Sequence, residues 1–287
     1  MEIIRQIFNS KWAIRNEEYH HLLSLAISSI KNGTIDAFEQ AVQKESPIKA
    51  YATLPYVAHM YDLDSSEIPS GSVAVIPVQG VLFPWRAMQI EQLLKLALNN
   101  DKIEGIVFAV DGPGGVITRV DVIEKLIRES KKPTVANICG MCASAHLWMM
   151  SACDKIFMNS EIDEIGSCGV VMTYENFDKY YESLGVEIRD IYPDTADLKN
   201  KLYRQLAEGK DKETKERLEY FHQIFAKTIA ENLGVAYDTK DPLFRGEMFL
   251  AEEAISKGYV DGYATLEESI LWVAAQKTVQ AANKIIV

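Results

Sequence analysis

Histidine is scarce in this chain: 287 residues include five, against 30 Lys and Arg and 41 Asp and Glu. Positive charge is therefore in deficit, and the net charge is -11. Phosphate backbones are held by clustered Lys and Arg, so a broad nucleic-acid surface is excluded. The most basic stretch, Lys210 to Arg217, is interleaved with Asp and Glu and reads as a solvated helix face. Long apolar runs are missing as well. None approaches the roughly 20 residues of a spanning helix, and Arg5, Lys11 and Arg15 interrupt the opening residues before a secretory signal can form. The expectation is a soluble, cytoplasmic protein with no membrane anchor.

Cysteine is also sparse, with four residues. Cys139 and Cys142 form a CxxC, but Cys153 and Cys168 are not a second close pair, and no histidine is placed to complete a site. Their small, apolar surroundings suit buried thiols in a reducing compartment. Neither a metal nor a cofactor is expected. Internal repeats and low-complexity tracts are absent too, which excludes solenoids and linker-like chains.

What is there is ordinary globular material: 48% apolar and 25% charged side chains, enough for one large core or for one core plus a small appendage. The first 60 or so residues read as helical. Asn16 is a candidate cap for a helix burying Leu22, Leu23, Ala26, Ile27 and Ile30, and Asn32-Gly33 would end it. The polar stretch Asp62 to Ser72, with Pro69 and Gly71, is the best domain boundary, and divides the chain into 1–66 and 67–287. Beyond it, strands and helices alternate. Ser72 to Val78, Gly105 to Val110, Thr134 to Ile138 and Lys155 to Met158 are short apolar runs of strand type. Ile90 to Leu98 and Ala143 to Ser151 read as helices, and Thr118 with Asp121 is a candidate cap for another. Such βαβ alternation implies an α/β fold with a parallel sheet.

Chemistry in such folds sits beyond the carboxyl ends of strands. Two segments there carry unusual residues. Asp111 to Val116 (DGPGGV) has adjacent glycines that free backbone N–H groups to point outward together, one way to build an oxyanion hole. Its bland reading is a tight turn. Cys139 to Trp148 (CGMCASAHLW) places Ser144 in the first turn of a helix, where its own N–H and the next would face outward. The alternative is that Ser144 merely caps that helix. A nucleophilic serine needs a base. His146 lies two residues along, on nearly the opposite side of a helix, and His20, His21, His59 and His222 have no catalytic setting. A lysine is then the candidate, provided its pKa falls well below the reference of about 10.4.

In order and spacing, these segments resemble the signal peptide peptidase A family of serine peptidases. That family follows an Asp-Ser-Pro-Gly-Gly-type loop with a Gly-x-x-Ala-Ser-small segment, an Ala-Asp-x-Ile stretch and Gly-Ser-Ile-Gly-Val. Here stand DGPGG at Asp111 to Gly115, GMCASA at Gly140 to Ala145, CDKIF at Cys153 to Phe157 and GSCGV at Gly166 to Val170, and Phe244 to Tyr263 is similar to the closing motif. The resemblance implies a Clp protease/crotonase-like fold with a Ser-Lys dyad. It makes Ser144 the nucleophile and Lys199 the base, with Lys201 in reserve, and assigns the oxyanion hole to Gly115 and Ala145. The lysine-bearing stretch, Ile191 to Leu206, departs from the family's pattern. Among relatives the likeness is to the phage branch that matures capsids, whose N-terminal segment holds a Trp-Ala-Ile like Trp12 to Ile14. A polypeptide substrate and a homo-oligomeric ring, with lysine donated between subunits, follow from it. Two other readings remain, a catalytically dead assembly protein and a crotonase-like acyl-CoA enzyme.

Overall fold

A computed structural model describes residues 3, 4, 7, 12–14, 16–43, 48–56 and 59–286. A short strand β1 (Trp12–Ile14) precedes helices α1 (Asn16–Lys31) and α2 (Ile35–Gln43). Helix α1 opens at Asn16, whose side chain lies outside the described residues, and stops at Lys31, after which Gly33 takes φ +65°. The helical reading of the first 60 residues holds only to Gln43. Strands β2 (Tyr51–Thr53) and β3 (Met60–Asp62) follow, and β2 pairs antiparallel with the first strand after the polar stretch. The central sheet thus takes in strands from both sides of the boundary drawn at residue 66.

The sheet is built from β4 (Ser72–Gln79), β5 (Ile103–Gly112), β7 (Thr134–Ala143), β8 (Lys155–Met158) and β9 (Glu164–Gly166), with the short β6 (Gly114–Val116) set apart from it. Helices α3 (Pro84–Asn99), α4 (Val120–Arg128) and α5 (Ala145–Met150) connect them. The pairs β4–β5, β5–β7, β7–β8 and β7–β9 are all parallel. The expected α/β class with a mostly parallel sheet is the one observed. Downstream come α6 (Asp178–Ser183), α7 (Lys201–Ala207), α8 (Lys212–Leu233), β10 (Met248–Leu250), α9 (Ala251–Ser256), β11 (Gly262–Tyr263) and α10 (Leu266–Ile286).

Both faces of the sheet are covered, which is why its strands read as unbroken apolar runs. Ile76, Phe108, Val110, Ala136 and Ile138 point into the main core with Leu94, Ile123 and Leu147 from the helices. On the other face a valine row, Val73, Val107 and Val135, packs against Val273 of α10. Each such side chain contributes about 1.5–3 kcal/mol by leaving water. Trp148 of α5 stacks on Phe225 of α8 with centroids 4.6 Å apart, fastening the long helix to the site.

Two local expectations are corrected. The cap expected of Thr118 is not made: Arg119 takes the N-cap position at φ +68° without a side-chain cap bond, while its guanidinium pairs with buried Glu91 of α3. Strand β7 does not end at Ile138 but runs five residues further, to Ala143. It can do so because it changes neighbours: Val135–Ile138 pair with β8, and Met141–Ala143 pair with β9.

Candidate active site

Strand β7 hands over directly to α5, and Ser144 is the one residue between them. It sits at φ 56°, ψ -114°, a conformation that costs a non-glycine residue about 1–3 kcal/mol and persists where surroundings over-determine it. A serine held in a sharp strand-to-helix turn is the device by which α/β hydrolases present a nucleophile. Fixation comes from both sides. The Ser144 N–H donates to Gly166 O at 2.9 Å, and its hydroxyl donates to Gly169 O at 3.4 Å. The expectation that this N–H faces outward is therefore overturned, because β9 takes it. The next amide, that of Ala145, opens a helix whose first N–H groups have no intrahelical partner. The side chain of Ser144 does not act as the cap of α5.

The glycine segment lies beside this turn. Gly112 pairs with Cys142 of β7, and β6 follows at once. His146, rejected above as a base, has a different place: its Nδ1 accepts the N–H of Gly114 at 3.1 Å. The ring is completely buried, and desolvation, helped by the charge of Arg86, pushes its pKa down to about 3. A neutral His146 thus ties the glycine strand to the helix that begins at the serine. The spacing that keeps it from Ser144 is what turns it toward Gly114. Asp163 was also missed. Buried at the mouth of β9, it accepts N–H groups of Gly140 at 2.8 Å and Ser160 at 2.6 Å, pinning the bend in β7. Desolvation raises its pKa. Cys142 and Cys168 are buried free thiols, and burial raises both pKa values.

Among the described residues no hydrogen bond joins either candidate lysine to Ser144. Lys199 stands exposed just before α7, and Lys201 Nζ pairs with Glu213 at 2.8 Å. A cavity of about 860 Å³ lies on that side of the molecule, lined by Ile30, Met172, Tyr174, Lys201 and Leu218 among others, and Ser144 is not part of it.

A serine in a strained strand-to-helix turn of an α/β fold, beside a glycine strand, is an arrangement that nucleophilic hydrolases use. Residues 127–280, more than half of the chain, match the model described as Peptidase family S49. The chain belongs to peptidase family S49, the kinship its motifs resemble. Protease 4 of Haemophilus influenzae is 21% identical over 227 residues, covering 75% of this chain and 36% of that protein. Capsid assembly protease C of Escherichia phage lambda is 27% identical over 217 residues, covering 69% and 48% respectively. This chain thus spans about a third to a half of the length of these relatives. Among solved structures, a membrane-bound stomatin-specific protease shares 19% identity at a TM-score of 0.44, covering 67% of this chain and 78% of its own. A ClpP1 from Listeria monocytogenes shares 17% at a TM-score of 0.44, covering 67% and 91%. Both are distant likenesses. Among the described residues no helix is long and apolar enough to cross a membrane.

Proposed function

We propose that this chain is a serine endopeptidase with Ser144 as nucleophile. The observation that carries the reading is the turn itself, φ 56° and ψ -114° on a serine between a central parallel strand and a helix. In the reaction a neutral lysine, Lys199 in our assignment, takes the hydroxyl proton of Ser144. The Oγ bonds to the substrate carbonyl carbon, and the resulting oxyanion is held by the N–H groups of Gly115 and Ala145. The amide C–N bond then breaks, the leaving amine carries off the proton, and water releases the acyl group. Polypeptides are the substrate class, and capsid maturation is the setting that likeness to the lambda protease supports. Because Lys199 is exposed, we assign it to the Ser144 of a neighbouring subunit in a homo-oligomer.

A second reading is an assembly protein without catalysis, favoured by the absence, among the described residues, of a lysine from the hydrogen bonds of Ser144. Casein cleavage by wild type, Ser144→Ala, Lys199→Ala and Lys201→Ala separates the two. Loss in Ser144→Ala and in one lysine variant, with assembly intact, upholds the dyad and names its lysine. Equal cleavage by Ser144→Ala refutes it, and an inert wild type favours the assembly role.

A further inference from the structure

Ser144 is 1% exposed, so a polypeptide can reach it only if something moves aside. One element, β1, lies between two segments that are tied to the serine's turn. Strand β1 runs antiparallel to β6, with Trp12 opposite Val116, Ala13 opposite Gly115 and Ile14 opposite Gly114. Its other edge meets Val171: Trp12 N–H donates to Val171 O at 3.1 Å, and Val171 N–H donates to Trp12 O at 2.9 Å. Each edge of this slot leads to the serine. Val171 is two residues past Gly169, which takes the Ser144 hydroxyl, and Gly114 is tied to His146, two residues past Ser144.

The backbone phase can be worked out. In a strand the N–H and C=O of one residue face one neighbour and those of the next residue face the other. Trp12 spends both groups on Val171, so those of Ala13 face β6. On β6, Gly114 O and Val116 N bond to Leu82, which leaves Gly115 to face β1. Ala13 and Gly115 are therefore the hydrogen-bonded pair, and Gly115 N–H meets Ala13 O. The absence of a Cβ on Gly114 is what admits this carbonyl, since a Cβ there would run into Ala13 O. The segment is anchored by Trp12, whose indole packs against Phe83 and Tyr19 at 5.9 and 5.7 Å between centroids and donates to Ile7 O at 3.2 Å.

We propose that the slot between Gly114–Val116 and Val171 is the peptide-strand site, and that Trp12–Ile14 is its built-in occupant. The ligand class is an extended peptide added as a middle strand. Ala13 holds the position of the residue whose carbonyl meets Gly115, and a small side chain is specified there because Ala13 is wholly buried. This rests on the peptidase reading only in taking Gly115 as the oxyanion donor: an incoming substrate must displace β1 before its own carbonyl can lie there.

The test uses the full chain carrying Ser144→Ala, so that binding is read without turnover. The probe is a fluorescein-labelled peptide with the sequence of residues 9–18, followed by anisotropy. Adding Ala13→Pro removes the N–H that β1 gives to Gly115, and adding Trp12→Ala removes its anchor. Each is expected to tighten binding of the probe at least tenfold while circular dichroism and cooperative unfolding stay those of the parent. Folded variants that bind no more tightly overturn the proposal. Hydrogen exchange on the chain with Ser144→Ala alone gives a check that survives any folding defect: the Val171 amide is expected to be protected, and rapid exchange there overturns the proposal too. None of these readouts requires activity, so an inert wild type would count against the peptidase reading and leave the slot standing.

Discussion

Between β4 and Cys168 the chain around Ser144 is packed on every side, whereas none of residues 169–213 is buried. The first stretch positions its serine by strands on both sides, a helix stacked onto α8 and two buried polar clamps, His146 and Asp163. The second carries both candidate lysines and turns Leu184, Ile188, Ile191 and Leu198 toward solvent, with Ile191 90% exposed. Leaving such side chains in water forgoes about 1.5–3 kcal/mol each. The candidate nucleophile is thus held by the chain's own core. The candidate bases ride on a segment with no buried residue, and its exposed apolar side chains form the surface we assign to contact with another protein.

This contrast can be broken or sharpened experimentally. Trp148→Ala attacks the packed half: the stack on Phe225 is lost from a buried site, and unfolding in urea is expected to show a loss of about 3–5 kcal/mol. The next effect is one of pH. The folded-state pKa of His146 is about 3, below the unfolded value of about 6.5, so the unfolded chain takes up the proton first. Its contribution to stability is complete above pH ~6.5 and falls, by up to about 1.4 kcal/mol per unit, as pH drops toward 3. His146→Gln is expected to flatten that acid limb in urea titrations at pH 7, 6, 5 and 4. In the exposed half, Lys201→Ala removes the half-exposed pair with Glu213, and only about 0.2–1 kcal/mol should be lost. Smallest in stability is Ile191→Asp with Leu198→Asp, expected within about 0.5 kcal/mol of wild type. Sedimentation should nevertheless show the assembly dissociating, and an unchanged oligomer would break the comparison.

Much of the packed half was legible in the sequence. The β-branched runs at Ser72, Gly105 and Thr134 read as buried strands because both sheet faces are covered, and all are strands. Where legibility failed, tertiary pairing had overridden local signal. Cys139 to Ala143 has little strand propensity, and is strand because β9 and β5 flank it. The strain at Ser144 has no signature in composition, since a serine at positive φ looks like any serine. Trp12–Ile14 is too short for a periodic pattern, and its partners lie about a hundred residues or more away.

The valine row has a consequence for synthesis. Val73, Val107 and Val135 leave the ribosome well before the side chain that covers them, Val273, which lies 138 residues beyond Val135. Until then one face of the nascent sheet is bare and adhesive, although every strand around Ser144 has already been made. A chain stalled before α10 would therefore hold a finished serine turn on an unfinished protein, a natural client for a chaperone at the exit tunnel.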